Sequence, residues 1–187
     1  MRTIRVELLI ATLALLASAA ASIATVVQTR VVANQLSASV WPYLSFDTTF
    51  NPGRAAIAVN NDGLGPAIVR NVRLTIDGKQ MTAWHSVLPL LIVRKAAAGK
   101  PGARQATGVD EQDVSFGTVI RPGTSFNVIA VQNKAIDFAT MSTVRKRVDM
   151  QICYCSILEQ CWIADMAAAD QPKSVQDCGP KGPPLVY

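Results

Sequence analysis

From Leu8 to Val27 the chain reads LLIATLALLASAAASIATVV, an apolar run without a single charge. At about 1.5 Å of rise per residue, a helix of this length covers roughly 30 Å, the thickness of bilayer hydrocarbon. Two roles compete for it. A cleaved secretory signal would use Arg2 and Arg5 as its basic region, Leu8 to Leu16 as its apolar region and Ala17-Ser18-Ala19 as an A-x-A-like cleavage site. An uncleaved signal anchor would use the whole run. The apolar pattern continues past Ala19 through Ile23, Val26 and Val27, further than a short signal needs. We therefore read 1–7 as a cytoplasmic N-terminus and 8–27 as a transmembrane helix. Only Arg30 follows the span closely, so the positive-inside bias puts the C-terminal part outside the cytoplasm. Gln28 to Ser39 holds no Gly or Pro and carries Val31, Val32 and Leu36, which predicts a helical juxtamembrane segment over 28–40, ended by Trp41-Pro42.

Beyond Trp41 the period changes from helical to two. Trp41 to Phe46 opens the strand pattern. Ala55, Ile57 and Val59 alternate with Ala56 and Ala58, and Asn60-Asn61-Asp62-Gly63 ends that strand in a turn. Val72, Leu74 and Ile76 share one face of a strand over 69–76, closed by the Asp77-Gly78 turn signal. Strands over 114–120 and 125–131 flank Arg121-Pro122-Gly123-Thr124, where Pro presets the first central position of a type II turn and Gly supplies positive φ at the second. Strands over 148–156 and 161–166 complete the set. Seven or so short strands with such turns predict an antiparallel sandwich over 41–170. One or two short helices interrupt it, at Thr82 to Val93 (limited by Pro89) and at Lys134 to Arg147, which uses Ile136, Met141 and Val144. Ala96 to Asp113 reads as a long polar loop, and 171–187 as a C-terminal tail.

Composition narrows the class. Half of the 187 residues are hydrophobic and 17% are charged, too apolar for a disordered chain. Only one stretch is long enough to cross a bilayer, which excludes a multi-span protein. Arg2, Arg5 and Glu7 account for one net positive charge, leaving +4 of the total +5 in the outer part. The basic residues are scattered apart from Arg145-Lys146-Arg147 and a loose set at Arg94, Lys95, Lys100 and Arg104. That density excludes a nucleic-acid footprint. A solvated face is the simplest reading, with anionic headgroups the better functional one.

The run AIAVNNDGLGPAIVRNVRLTIDGK is similar to the part of bacterial immunoglobulin-like domains where a strand ends in an N-x-G-x-G-P-A turn and re-enters a strand closing with D-G. IRPGTSFNV is similar to their P-G-[ST] turn. With the N-terminal anchor, S-V-W-P-Y, I-C-Y-C and C-W, the layout resembles uncharacterised single-pass envelope proteins of Gram-negative bacteria with an immunoglobulin-like periplasmic domain. The resemblance implies a mainly β fold, a transmembrane helix followed by an immunoglobulin-like sandwich, in the inner membrane with its C-terminal domain in the periplasm. It brings no functional residues with it.

The residues that carry chemistry are few. Cys153, Cys155, Cys161 and Cys178 are the only cysteines. An even number in an exported domain favours disulfides, with three possible connectivities. Cys153 and Cys155 share a strand face, and a hairpin tip at Ile157 to Gln160 would put Cys155 beside Cys161, leaving Cys153 for Cys178 in the tail. The other pairings and partial oxidation remain open. A four-thiolate metal site fits poorly, since structural zinc prefers C-x(2–4)-C pairs. A redox centre would want C-x-x-C opening a helix. His85, the sole histidine, has no second histidine to complete a metal set and reads as a packing or surface residue. There is no G-x-S-x-G elbow, H-E-x-x-H or Walker loop. Gly63-Leu64-Gly65 fails as a dinucleotide loop, because Pro66 removes an amide where phosphate would need one. On the span, Ala14, Ser18 and Ser22, and beside them Ala17 and Ala21, form small-residue stripes that let a second helix approach closely.

Without a catalytic constellation or cofactor motif, the chain reads as a non-catalytic, membrane-anchored binding or scaffold protein. Its expected partner is another envelope or membrane protein, or a second copy of itself. The alternative is a thiol- or metal-dependent redox or enzymatic protein using the cysteine cluster.

Overall fold

The computed structural model describes residues 2–51, 53–87, 108–112, 114–132, 138–168 and 171–179. The chain divides into two units, Met1–Ser39 and Val40–Tyr187.

The first unit is one α-helix, α1 (Arg2–Ser39), long and apolar enough to span a membrane. At about 1.5 Å per residue it is about 57 Å long. The helix therefore continues beyond the apolar run, because nothing between Gln28 and Ser39 breaks it. Its hydroxyls bond back into the helix. Thr12 donates to the Leu8 and Leu9 carbonyls, Ser18 to Leu15, Ser22 to Ser18 and Thr25 to Ala21, at 2.8 to 3.0 Å. Hydrocarbon would offer no partner for a free hydroxyl, and hydroxyls bonded in this way would need none there.

The second unit is mainly β. Its strands are β1 (Leu44–Asn51), β2 (Arg54–Asn61), β3 (Ala67–Ile76), β4 (Lys79–Met81), β5 (Gly108–Glu111), β6 (Val119–Ile120), β7 (Ser125–Gln132), β8 (Val148–Cys155), β9 (Cys161–Asp165) and β10 (Lys173–Val175). A 3-10 turn covers Trp84–Val87, and helix α2 (Phe138–Arg147) precedes β8. All pairings are antiparallel. One sheet runs β1-β2-β7-β5; the other runs β10-β9-β8-β3-β4, with β6 also on β3.

One core serves both sheets. Ala55, Ile57 and Val59 from β2 and Ile129 and Val131 from β7 join Val69, Val72 and Leu74 from β3 and Met150, Ile152 and Tyr154 from β8. Alternation explains most of this, and two bulges explain the rest. In β3 the register skips Arg70, so Val69 and Val72 are both buried although an odd number of positions apart. In β7 it skips Val128 opposite the Ile57/Ala58 step, and Val128, Ile129 and Val131 all reach the core.

The turns follow their chemistry. Asp77 and Gly78 have φ of 52° and 77° and join β3 to β4 as a two-residue hairpin loop, the positive values that a type I′ turn demands. Thr124 N–H donates to the Arg121 carbonyl at 3.3 Å, with Gly123 at φ 68°, as the Pro-Gly pair predicts. This turn passes the chain from one sheet to the other, since β6 pairs with β3 and β7 with β2.

Three local expectations change. The strand over 114–120 shrinks to Val119–Ile120, because Gly117 at φ 88° turns the chain just before it. Gly108–Glu111, expected within the long loop, is an edge strand on β7. Lys173–Val175, expected as tail, pairs with β9. The helix expected at Thr82 to Val93 is the 3-10 turn as far as Val87; 88–107 and 133–137 lie outside the described residues, and of the helix expected over 134–147 Phe138–Arg147 is described.

Candidate functional site

Where the chain leaves α1 it enters one pole of the β unit, and this pole is assembled around Asn61. Asn61 ends β2, opposite Leu44 of β1, and is fully buried. Its Oδ1 accepts from the amides of Tyr43 (3.2 Å) and Gly63 (3.0 Å); its Nδ2 donates to the carbonyls of Gly65 (2.8 Å) and Ile120 (2.9 Å). Two lone pairs and two N–H donors are the full capacity of a side-chain amide, and all four are used. Its backbone adds bonds with Thr124 and Gly123. Three remote segments are thereby tied at one point.

Trp41 is held by the same loop. Its carbonyl accepts from the amides of Leu64 (2.9 Å) and Gly65 (3.2 Å), and the Tyr43 carbonyl accepts from Asp62 (2.8 Å). Gly63 and Gly65 are glycines because of space. A Cβ on Gly65 would collide with the Val40 backbone, and one on Gly63 with the Trp41 and Tyr43 backbone. The Gly-x-Gly signature thus serves close backbone approach. Trp41 and Tyr43 pack edge to face, centroids 5.5 Å apart.

Strand register places other loops at this pole. The β8–β9 turn caps it, because Cys155 pairs with Ile68 near the start of β3, and Val119 pairs with Ile68 from the other side. The amides of Gly117 and Val69 and the carbonyls of Val69 and Thr118 join the Phe116 loop to the same stretch. Among the described residues of the β unit, the exposed large apolar side chains are Trp41, Leu64, Val109, Phe116, Val119, Ile157 and Leu158. All but Val109 lie at this pole. Leu64 is 71% exposed. The charges around them are mixed: Asp62, Arg121, Glu159 and Asp177. Arg145, Lys146 and Arg147 lie at the far end, beside the Ile76–Val148 pair.

The four cysteines sit at the same pole in two bonded pairs, Cys153 with Cys178 and Cys155 with Cys161. Cys155 and Cys161 are register partners across β8 and β9, with Cα atoms 4.0 Å apart. Tyr154, between the two β8 cysteines, belongs to the core, so period two turns the cysteines to the outer face. There the chain after β10 brings Cys178 to Cys153. Tyr154 in turn stacks on Trp162, centroids 6.0 Å apart, and burial pushes its pKa up to about 12.

A second polar grouping lies on β8 and β9. Asp149 and Asp165 both accept from the Ala167 amide, at 3.2 and 2.9 Å, and Gln151 Nε2 donates to Asp165 at 2.9 Å. Burial raises the Asp149 pKa, reinforced by the Asp165 charge. A cleft of about 230 Å³ between β1 and β9 is lined by Ser45, Arg145 and Asp165 among apolar neighbours. That is below the ~300–1,000 Å³ of ordinary small-molecule pockets.

Ala14, Ala17, Ser18, Ala21 and Ser22 are exposed along α1, in the other unit from the cysteines. The His85 side chain lies outside the described residues. The apolar pole was missed in the sequence, although a signal was there. Leu64 stands between glycines, Phe116 between Ser115 and Gly117, and Ile157-Leu158 between Ser156 and Glu159. A large apolar residue inside a turn is a residue the core did not claim.

Compared with known protein families, with curated proteins and with solved structures, the chain gives no match.

Proposed function

We propose that this is a non-catalytic, single-pass protein of a Gram-negative inner membrane, whose immunoglobulin-like head binds or scaffolds another envelope protein in the periplasm. The observation that carries the reading is the apolar pole. Six exposed large apolar side chains from four separate segments converge at the end where the chain emerges from the apolar helix. Scattered exposed apolar residues are ordinary, but a gathered set marks an interaction surface. Among the described residues there, three carboxylates, of Asp62, Glu159 and Asp177, outnumber the one cation, Arg121, a balance that disfavours an anionic lipid surface and favours a protein partner.

The immunoglobulin-like part is supported by strand order. β1-β2-β7-β5 opposite β9-β8-β3 corresponds to the ABED and GFC sheets of that fold. The usual disulfide between the second and sixth strands is replaced by bonds from β8 to β9 and to the tail. Arg2 and Arg5 before the span support a periplasmic head, and paired cysteines fit that oxidising compartment.

Photo-crosslinking in native membranes tests the reading. A crosslinking side chain at Leu64 or Ile157 should give a discrete adduct with a protein of defined mass, and one at Lys79, at the opposite end, should give none. Leu64→Asp should abolish the Ile157 adduct while both disulfides remain. Adducts of equal yield from both ends, or none from the pole, would overturn it.

A further inference from the structure

A cross-link stabilises by restraining its own loop, and that role does not require its sulfurs to approach those of another cross-link. Here they do. Cys155 Sγ and Cys178 Sγ belong to different disulfides and lie 3.8 Å apart. The sulfurs of Cys155, Cys161 and Cys178 all lie within 4.8 Å of one another. The four positions also differ in access. Cys153, Cys155 and Cys161 are buried, whereas Cys178 is half-buried. A reagent from solvent meets Cys178 first.

We propose that the four cysteines form one thiol–disulfide exchange centre, whose substrate is a dithiol and whose pivot is the Cys155–Cys178 contact. Exchange proceeds by attack of a thiolate on a disulfide sulfur, with the other sulfur leaving. A thiolate of the dithiol attacks Cys178 Sγ; a mixed disulfide forms, the Cys153–Cys178 bond breaks, and Cys153 leaves as a thiolate that takes a proton from water. The second thiolate of the reductant attacks its own sulfur in the mixed disulfide and expels Cys178. The reductant departs as a disulfide, and two electrons have passed to the Cys153–Cys178 pair. The Cys178 thiolate then attacks Cys155 Sγ across the 3.8 Å gap. The Cys155–Cys178 bond forms, the Cys155–Cys161 bond breaks, and Cys161 leaves as a thiolate and is protonated. This last step moves no net electrons. Opening the other bond first leads to the same product, because a Cys155 thiolate attacks Cys178 and releases Cys153. In the product the tail is still tethered, but β8 and β9 are no longer bridged.

The inference concerns sulfur chemistry alone, and its test reads nothing about the apolar pole. The full-length chain in detergent micelles is treated with less than one equivalent of dithiothreitol, quenched with acid, alkylated and mapped by mass spectrometry. Most one-disulfide chains should contain Cys155–Cys178, with Cys153 and Cys161 alkylated. In a Cys161→Ser chain without reductant, alkylation should appear on Cys153 as well as Cys155. One-disulfide chains that hold only Cys153–Cys178 or Cys155–Cys161 would overturn the proposal. So would label confined to Cys155 in the variant, or the exchanged bond appearing only in denaturant.

Discussion

The Leu44 amide donates to the Tyr154 hydroxyl at 3.2 Å, a bond that runs from the first strand of one sheet to the middle of the other. Both residues are buried. Tyr154→Phe would keep the ring's packing on Trp162 and leave the Leu44 N–H without a partner. An unsatisfied buried donor costs about 1–3 kcal/mol. Urea unfolding of the variant should show a loss in that range; unchanged stability would mean that the bond contributes nothing.

The same hydroxyl sets an alkaline limit. Burial raises the Tyr154 pKa to about 12, against about 10 in the unfolded chain. Below pH ~10 both states hold the proton. Between ~10 and ~12 the unfolded chain has lost it while the folded chain keeps it, so stability falls as pH rises through that window. Thermal melts from pH 8 to 12 should show a steeper decline above pH 10 than melts of Tyr154→Phe.

Gly65 and Gly78 separate two reasons for glycine. Gly65→Ala pushes a methyl into the Val40 backbone, and overpacking of this kind costs about 1–3 kcal/mol. Gly78 has open space around it and φ of 77°, so Ala there costs only the left-handed penalty of about 1–2 kcal/mol. Gly78→Asn, which tolerates that conformation, should recover most of the loss, whereas Gly65→Asn should not. Equal behaviour at the two sites in denaturation would contradict the steric account.

Removing the tail cross-link should be costly in a specific place. Cys178→Ser is expected to lose about 2–4 kcal/mol. It should also speed tryptic cleavage at Lys173, in the short strand β10 that Cys178 follows. Cleavage at Lys79, on β4 of the far pole, serves as the control and should change less.

If two copies pack through the small-residue stripes of α1, Ala14→Leu with Ser18→Leu should weaken that association about fivefold, taking ~1 kcal/mol as typical of such contacts. A membrane two-hybrid assay reads this directly. Undiminished association would leave the small residues as ordinary members of an apolar run.

The strands that were legible in the sequence share one property: alternation bounded by a turn of definite chemistry. Asp77-Gly78 closes β3, Arg121-Pro122-Gly123-Thr124 precedes β7, and the β8–β9 register follows from the cysteine spacing. β5 was not legible, because Gly-Val-Asp-Glu carries no alternating apolar pattern; it becomes a strand through the open edge of β7. β10 has only three residues and depends on β9. The candidate surface was hidden for another reason. Leu64, Phe116 and Ile157 lie far apart in the chain, and only register and the Asn61 bonds bring their loops to one end. The proximity of Cys155 to Cys178 likewise depends on where β10 docks.

The position of the Asn61 knot has a mechanical consequence. A pull transmitted along α1 would enter the β unit at Trp41 and meet the Leu64, Gly65 and Asn61 bonds before it reached a strand ladder. A tether gripped on the same side would close the force path within a few residues. The two sheets would then carry almost no load, and traction on α1 would be felt at the point of grip rather than across the strand ladders.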